Sequence, residues 1–353
     1  MSFKDVRVQI PASALENLSI KKHKLFLSSF QMFFDEKTQS VFKIFCKNIL
    51  AMKVTRRELL RDFFILAVTP MLNLFPLEPP WCIGIFFGDK PQSLSPYERN
   101  PIISGPIISG KNKSFIATAD PFLLYYQGSF WLFFEAVGED DKGRIALAKS
   151  DDGYNWNFLG VILEKPYHLS YPCVFVYNSE IYMIPESAAS GEMCIYKAED
   201  FPFKWSVVSK IPGSFLDPTF VRIEDDLFIL CNGKNLYTQY KHDLYIFTSR
   251  KIEGKWLLHS KSPIRTFRNA GNVFVLDGKL YRPYQGRKLR GDIFPIYGRY
   301  IGFVEIKLTR ERYEERPISF FITPGKYGWA RMRIHHISFL PNKKIAAIDG
   351  SNF

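Results

Sequence analysis

The stretch TADPFLLYYQGSFWLFFE, residues 118–135, joins an Asp-Pro to two runs of aromatic and aliphatic residues around a Gln-Gly turn, and it ends on a glutamate. Such runs favour strands, and a Gly between two of them marks a hairpin. A lone hairpin gives no reason for an acid at each end. The reason lies in the rest of the chain, where the unit recurs. Five segments start alike: ADPFLLYY at 119, LSYPCVFVY at 169, FLDPTFVRI at 215, RNAGNVFVL at 268 and RIHHISFL at 333. Each runs into a turn and a second strand: QGSFWLFFE, NSEIYMIPES, EDDLFILCN, DGKLYRPYQ and NKKIAAIDG. The first four add a third strand with Trp156, Trp205, Trp256 and Tyr313 at matching places, then a fourth: GVILEK, SVVSKI, LLHSKSPI and PISFFI.

The starts Asp120, Tyr171, Asp217, Asn269 and His335 lie 51, 46, 52 and 66 residues apart. A period near 50 with four short strands per unit is that of a β-propeller blade. The expected fold is therefore all-β, a five-bladed β-propeller over residues 79–353. The fifth unit runs out of chain after two strands. WCIGIFFG (81–88) and NPIIS (100–104) are expected to complete it, because an open blade would expose an unpaired edge. A β-sandwich of the same strands is the alternative. Residues 1–78 lack the repeat, and their apolar spacing predicts a small α-helical N-terminal region.

The 353 residues are 46% hydrophobic and 16% aromatic, which excludes a disordered chain. A net charge of +12 favours an anionic partner such as a phosphate, nucleotide, acidic glycan or lipid headgroup. No recognition module for nucleic acid is present, and none is expected as a partner. Five scattered cysteines without CxxC or Cys/His spacing point to free thiols and to no metal site. No cofactor motif is read. The N-terminus has no signal-peptide pattern, so a cytoplasmic location is expected. FFILAVTPMLNLFPL (63–77) is too short, and too broken by Pro70, to span a bilayer. An ordinary packed helix is the preferred reading. Peripheral membrane contact beside the basic MKVTRRELLR is the alternative.

In a propeller the innermost strand of each blade lines the axis, so the blade starts converge. These are Asp120, Tyr171, Asp217, Asn269 and the pair His335 and His336, of which at most one is expected to face inward because neighbours on an extended chain alternate. The second strands return Glu135, Glu186, Arg282, Gln285 and Asp349 towards the same mouth. Clustered carboxylates raise one another's pKa, and such a pair serves glycosidic chemistry. The expected catalytic residues are Asp120, Asp217 and Glu186. Glu135, His168, Tyr171, Arg268, Asn269, Arg282, Gln285, His335 and His336 are expected to bind substrate. The plainer readings are an Asp before Pro as a turn residue, a strand-end Glu as merely solvated, Asp349-Gly350 as a turn, and SDDGYNW as a structural Asp-box-like turn.

The motifs ADPF, LFFE, GRIALAKSDDGYNW, HLSYPCVF, YMIPES, YKAEDFPFKW, LDPTF, RNAG, LYRPYQ and HHIS…AAIDG resemble the N-terminal propeller-like domain family of plant glucosamine inositolphosphorylceramide transferase and its bacterial formyltransferase-associated relatives. The resemblance covers about residues 81–350. The five-bladed plan and Asp-Pro starts more distantly resemble glycoside hydrolase families 43 and 32. The resemblance implies a carbohydrate-active protein of surface-glycan, polysaccharide or glycolipid biosynthesis. The partners it implies are a sugar or nucleotide-sugar donor and a glycan or lipid-linked acceptor. Glycosyl transfer is expected ahead of a hydrolase or a non-catalytic sugar-binding scaffold. Asp120 would be the base, Asp217 the charge stabiliser or pKa tuner, and Glu186 the acid or a sugar-orienting group. Arg268, Arg282 or a His would hold a leaving phosphate.

Overall fold

A computed structural model describes residues 81–352 apart from 111–113, 234–241, 290–291, 293–294 and 326–327. The expected helical region at 1–78 lies outside the described residues. The chain enters through β1 (Cys82–Phe87), β2 (Ser95–Pro96) and β3 (Ile103–Ser104). Blade 1 is β4 (Phe115–Tyr126), β5 (Ser129–Gly138), β6 (Gly143–Ser150) and β7 (Asn157–Leu163). Blade 2 is β8 (Ser170–Tyr177), β9 (Glu180–Glu186), β10 (Glu192–Asp200) and β11 (Lys204–Pro212). Blade 3 is β12 (Phe215–Ile223), β13 (Asp226–Gly233) and β14 (His242–Ser249), followed by β15 (Leu257–Leu258) and β16 (Ile264–Thr266). Blade 4 is β17 (Phe274–Leu276), β18 (Lys279–Gly286), β19 (Tyr300–Leu308) and β20 (Tyr313–Ile322). The last strands are β21 (Ile337–Leu340) and β22 (Ile345–Gly350).

Each blade is an antiparallel meander, and the fifth is closed as expected. Its order is β2-β1-β22-β21, with β3 also pairing with β1. The pairing of β1 with β22 runs from Cys82 opposite Gly350 to Phe87 opposite Ile345, so the two ends of the domain share one sheet. Five apolar cores lie in five seams between neighbouring blades. This explains why the second strands read as unbroken apolar runs. In β13, Leu227, Ile229 and Cys231 pack towards blade 2, while Phe228 and Leu230 pack towards blade 4. Successive side chains point to opposite faces, and here both faces are buried.

The matched tryptophans have one job. The indole N–H of Trp156 donates to Gly153 O (3.0 Å), that of Trp205 to Pro202 O (2.8 Å) and that of Trp256 to Ile252 O (3.1 Å). Each closes the turn before its blade's outer strand. In SDDGYNW the Asp152 carboxylate accepts the N–H groups of Tyr154 and Asn155, so this is the structural turn expected.

Two details depart from the strand reading. The outer strand of blade 3 is split, and both β15 and β16 pair with β14. In blade 4 the regular inner strand begins only at Phe274, because Gly271 turns away with a φ of 133° and bridges Ile337 of blade 5. A Cβ on Gly271 would sit 1.7 Å from Ile337 O, so only glycine fits there.

Closure by β1 can be tested with Ile85, which is fully buried against Leu132 and Phe134 of blade 1. Ile85→Ala is expected to destabilise the protein by about 2–5 kcal/mol in urea unfolding, as Leu132→Ala should. A cost below about 0.5 kcal/mol would mean that β1 does not close the ring.

Candidate functional site

The inner strands of blades 1, 2 and 3 share a fault at their starts. Asp120, Tyr171 and Asp217 have φ values of 50°, 46° and 49°, and each precedes a proline that has no N–H for the ladder. The strand register slips at each of these points, which makes them β-bulges. The N–H of each start residue turns out of the ladder and finds a side chain. Asp120 N–H donates to Asp349 Oδ2 (3.0 Å), Tyr171 N–H to Asp120 Oδ2 (3.2 Å) and Asp217 N–H to Glu186 Oε2 (3.0 Å). In blade 4, Asn269 N–H donates to Asn232 Oδ1 (2.9 Å).

Asp349, Glu186 and Asn232 all stand at the end of the second strand of the preceding blade. By that pattern Glu135 would receive the N–H of Tyr171, but Asp120 takes it instead. Glu135 is thereby released, and His168 Nε2 approaches its Oε1 at 2.7 Å. His168 Nδ1 accepts the Gly143 N–H at 3.0 Å, so the ring carries its proton on Nε2 and donates it to Glu135. A Cβ at Gly143 would lie 2.6 Å from Glu135 Oε1 and 2.7 Å from His168 Nε2, so the bare glycine is what lets the two meet.

The carboxylates fall into two charge environments. Asp349 is wholly buried and accepts the N–H groups of His335 (3.1 Å) and His336 (2.9 Å) as well as that of Asp120. His335 Nδ1 lies 2.9 Å from Asp349, and His335 Nε2 and His336 Nδ1 each lie 3.4 Å from Asp120 Oδ1. Burial opposes the charge on Asp120, but the His336 contact and the charges of His335 and Arg268 bring its pKa down to about 2. Burial also opposes the charge on His335, yet Asp349 and Asp120 raise its pKa to about 9.

On the other side Arg268 grips both oxygens of Asp217, its Nη2 at 2.9 Å from Oδ1 and its Nε on Oδ2. Arg268 Nη2 is 3.7 Å from Glu186 Oε2. Burial and the charge of Asp217 raise the Glu186 pKa to about 8, against the pull of Arg268. Glu186 is therefore largely protonated at neutral pH, while Asp120 is ionised. Burial raises the pKa of Glu135 as well, opposed by its bond to His168; Glu135 in turn raises the pKa of His168, against the Gly143 N–H, which favours the neutral ring.

The axis thus gathers Asp120, Asp217, Glu186, Glu135, His168, Arg268 and His335. Both histidines approach Asp120, because residues 335 and 336 precede β21 and do not alternate as strand residues do. Four of the expected binding residues are built into the wall. The Tyr171 hydroxyl, fully buried, bonds to Thr219 and to both polar backbone atoms of Gly271. Asn269, also fully buried, ties Asp217 O and Leu230 O to Arg282. Arg282 is fully buried and pairs with Glu315 (2.6 Å), and Gln285 donates to Asn269 O (2.9 Å).

Sequence reasoning missed Trp81, Tyr297 and Arg287. Trp81 packs 4.3 Å from the His335 ring and 6.2 Å from Tyr297. Tyr297 lies 5.1 Å from His335 and under both Arg268 and Arg287. Asn232 was legible, as the polar residue closing EDDLFILCN where the other blades carry Glu135, Glu186, Gln285 and Asp349. One donor set among the described residues suits a cation: atoms of Asp120, His335 and Asp349 lie within 4.8 Å of one another. These atoms already bond to one another and to backbone N–H groups. No helix among the described residues is long and apolar enough to cross a membrane.

Residues 77–351 match the family described as glucosamine inositolphosphorylceramide transferase 1, N-terminal. The enzyme of that name from Oryza sativa subsp. japonica is 33% identical over 290 residues, covering 74% of this chain and 38% of the rice protein. Its Arabidopsis thaliana counterpart is 35% identical over 291 residues, covering 73% and 37%. The chain thus matches well under half the length of these relatives. Among solved structures, an exo-1,5-alpha-L-arabinanase from a bovine ruminal metagenomic library superposes with a TM-score of 0.52 at 10% identity, covering 67% of this chain and 91% of that one. That likeness concerns the fold alone.

The elevated Glu186 pKa has a stability consequence. The folded protein holds a proton that the unfolded chain releases near the ordinary value of 4.5, so this contribution fades as pH rises from about 4.5 to about 8. Glu186→Gln keeps an oxygen for the Asp217 N–H and removes the titration. The stability of the variant relative to the parent is expected to rise between pH 5 and pH 8 in parallel urea unfolding curves, and a constant difference would contradict the assignment.

Proposed function

The chain belongs to the family of the N-terminal domain of glucosamine inositolphosphorylceramide transferase 1, and from that premise we propose that its propeller axis binds a sugar and takes part in glycosyl transfer during glycolipid or surface-glycan assembly. The observation that carries this reading is the placement of the acids: Glu186 is buried beside Asp217, which raises its pKa to about 8, while Asp120 lies 3.4 Å from both His335 and His336, which help bring its pKa down to about 2. A protonated carboxyl beside ionised ones supplies a donor for a leaving oxygen and fixed negative charge for an oxocarbenium-like carbon.

The roles follow from availability. Glu186 uses Oε2 for the Asp217 N–H and gives its proton to the leaving oxygen as the bond to C1 breaks. Asp217, clamped by Arg268, raises the Glu186 pKa and does not touch substrate. A carboxylate with a pKa of about 2 is a weak base, so Asp120 acts as fixed charge facing the reacting carbon. The base is Glu135, the acid left free of the interblade bonds, with His168 orienting it. The acceptor oxygen bonds to C1 and its proton passes to Glu135. Trp81 and Tyr297 offer ring faces to the sugar. The +12 charge suits a phosphate-bearing donor or acceptor.

A second reading is a sugar-binding module that positions substrate for a partner transferase. It is favoured by the structural bonds that Asp120 and Asp217 make. Donor and acceptor screening separates these readings. Transfer requires that nucleotide or sugar release depend on acceptor, and that Glu186→Gln lower the rate by roughly 10²–10⁴-fold. The rate is expected to fall as pH rises through about 8, where Glu186 loses its proton. Glycan production unchanged by Asp120→Asn and Glu186→Gln in a deletion strain would leave the binding module. Cleavage of an aryl glycoside without any donor would instead mark a hydrolase.

A further inference from the structure

Arg268 lies outside the regular strands. β16 ends at Thr266 and β17 begins at Phe274, with isolated bridges at Asn269 and Gly271 between them. One side chain does much of the holding there. Arg282 Nη1 donates to Phe267 O (3.1 Å) and to Asn269 Oδ1 (3.0 Å), and its Nη2 donates to Thr266 Oγ1 (3.2 Å). Phe267 and Asn269 are the residues on either side of Arg268. The Asn269 amide also donates to Asp217 O (2.9 Å), the backbone of the residue that Arg268 clamps. Both halves of the Arg268–Asp217 clamp therefore trace back to Arg282.

Arg282 is fully buried in the seam between blades 3 and 4, where Phe228, Leu230, Tyr284 and Val304 form an apolar core. Its Nε has no hydrogen-bond partner among the described residues. Its charge is met by Glu315 (2.6 Å), which also accepts the hydroxyls of Tyr313 (2.7 Å) and Thr266. Apolar side chains of the same volume would fill such a seam without the desolvation of two charges. What the pair adds is direction, because a planar guanidinium aims at several acceptors at once. Arg268 Nη2 lies 3.7 Å from Glu186 Oε2, so any shift of Arg268 alters the charge that Glu186 meets. Asp217, Asp120 and His168 are the other charged groups that act on Glu186.

We propose that Arg282, charge-balanced by Glu315, is a positioning residue that holds Arg268 against Asp217 and beside Glu186. This rests on the reading of Glu186 as the working acid and adds the part of the wall that sets its surroundings. Arg282 is sealed from the mouth and acts through placement alone.

The test is nitrogen-15 NMR of the arginine-labelled full chain, read as hydrogen exchange of the Arg268 Nε–H that bonds to Asp217 and assigned by its loss in Arg268→Lys. The Arg144 Nε–H, bonded to Glu164 at 2.7 Å, is the reference in the same spectrum. Arg282→Met combined with Glu315→Gln removes the pair together, so no charge is stranded and the net charge of the wall is unchanged. Exchange at Arg268 relative to Arg144 is expected to rise roughly 10-fold. The Glu186 titration midpoint is expected to rise by about half a pH unit as the pull of Arg268 weakens. Arg282→Lys keeps the charge but not the fork, and is expected to move both readouts the same way by less. It serves as the test if the double variant does not fold. Phe228→Leu loosens the same seam away from this network, and is expected to lower stability while leaving both readouts in place. An unchanged exchange ratio in a folded variant overturns the proposal, as does an equal rise in Phe228→Leu. Faster exchange with an unmoved midpoint overturns it too, because Arg282 would then brace the wall without governing the acids. Both shifts without any glycosyl transfer would support the positioning role and count against the proposed reaction alone.

Discussion

The architecture of the axis depends on the left-handed bulge that opens three of the inner strands. A non-glycine residue in that conformation costs about 1–2 kcal/mol, and the following proline removes a ladder bond. What offsets this is the hydrogen bond each turned-out N–H makes to a side chain, worth more when the acceptor is ionised. Asp349 ties blade 5 to blade 1, Asp120 ties blade 1 to blade 2, and Glu186 ties blade 2 to blade 3. Asn232 does the same between blades 3 and 4. The polar axis and the apolar seams are thus one construction: the seams hold the blades, and the staples fix their angular order at the centre.

This construction also sets the chemistry. A carboxylate that staples a backbone N–H is held in one orientation with one oxygen engaged. Where a histidine or arginine adds charge, it stays ionised, as Asp120 does. Where burial and a second acid outweigh a nearby arginine, as at Glu186 beside Asp217 and Arg268, the proton is retained. One repeated geometric device therefore yields acids of different protonation at neighbouring positions. Glu135 stands apart because Asp120 has taken its expected N–H, and this frees it for His168 and a ligand.

The repeat made the ring legible before any coordinates. Alternating burial on two faces leaves a continuous apolar run, and five such runs at a period near 50 favour a ring over a sandwich. Even the completion of blade 5 by residues 81–88 and 100–104 could be read, since an unpaired edge needs a partner. The convergence of Asp120, Asp217 and Glu186 was legible for the same reason. What the repeat could not show was which polar residues face the mouth and which are built into the wall. Tyr171 and Arg282 look like ligand-binding residues by type, but their partners, Gly271 and Glu315, lie 100 and 33 residues away. Arg287 and Tyr297 belong to the connection between β18 and β19, residues 287–299, which is longer than those between β5 and β6 and between β9 and β10. No alignment of the repeats could bring them to the axis.

Everything proposed for the axis requires that its acids differ in protonation at neutral pH. Carbon-13 NMR of side-chain carboxyls in Glu-labelled protein tests it most directly, with the Glu186 resonance assigned by its loss in Glu186→Gln. A Glu186 titration midpoint near 8 is expected. A midpoint at the ordinary 4.5 would contradict it, because Glu186 would then be ionised at neutral pH and have no proton to give.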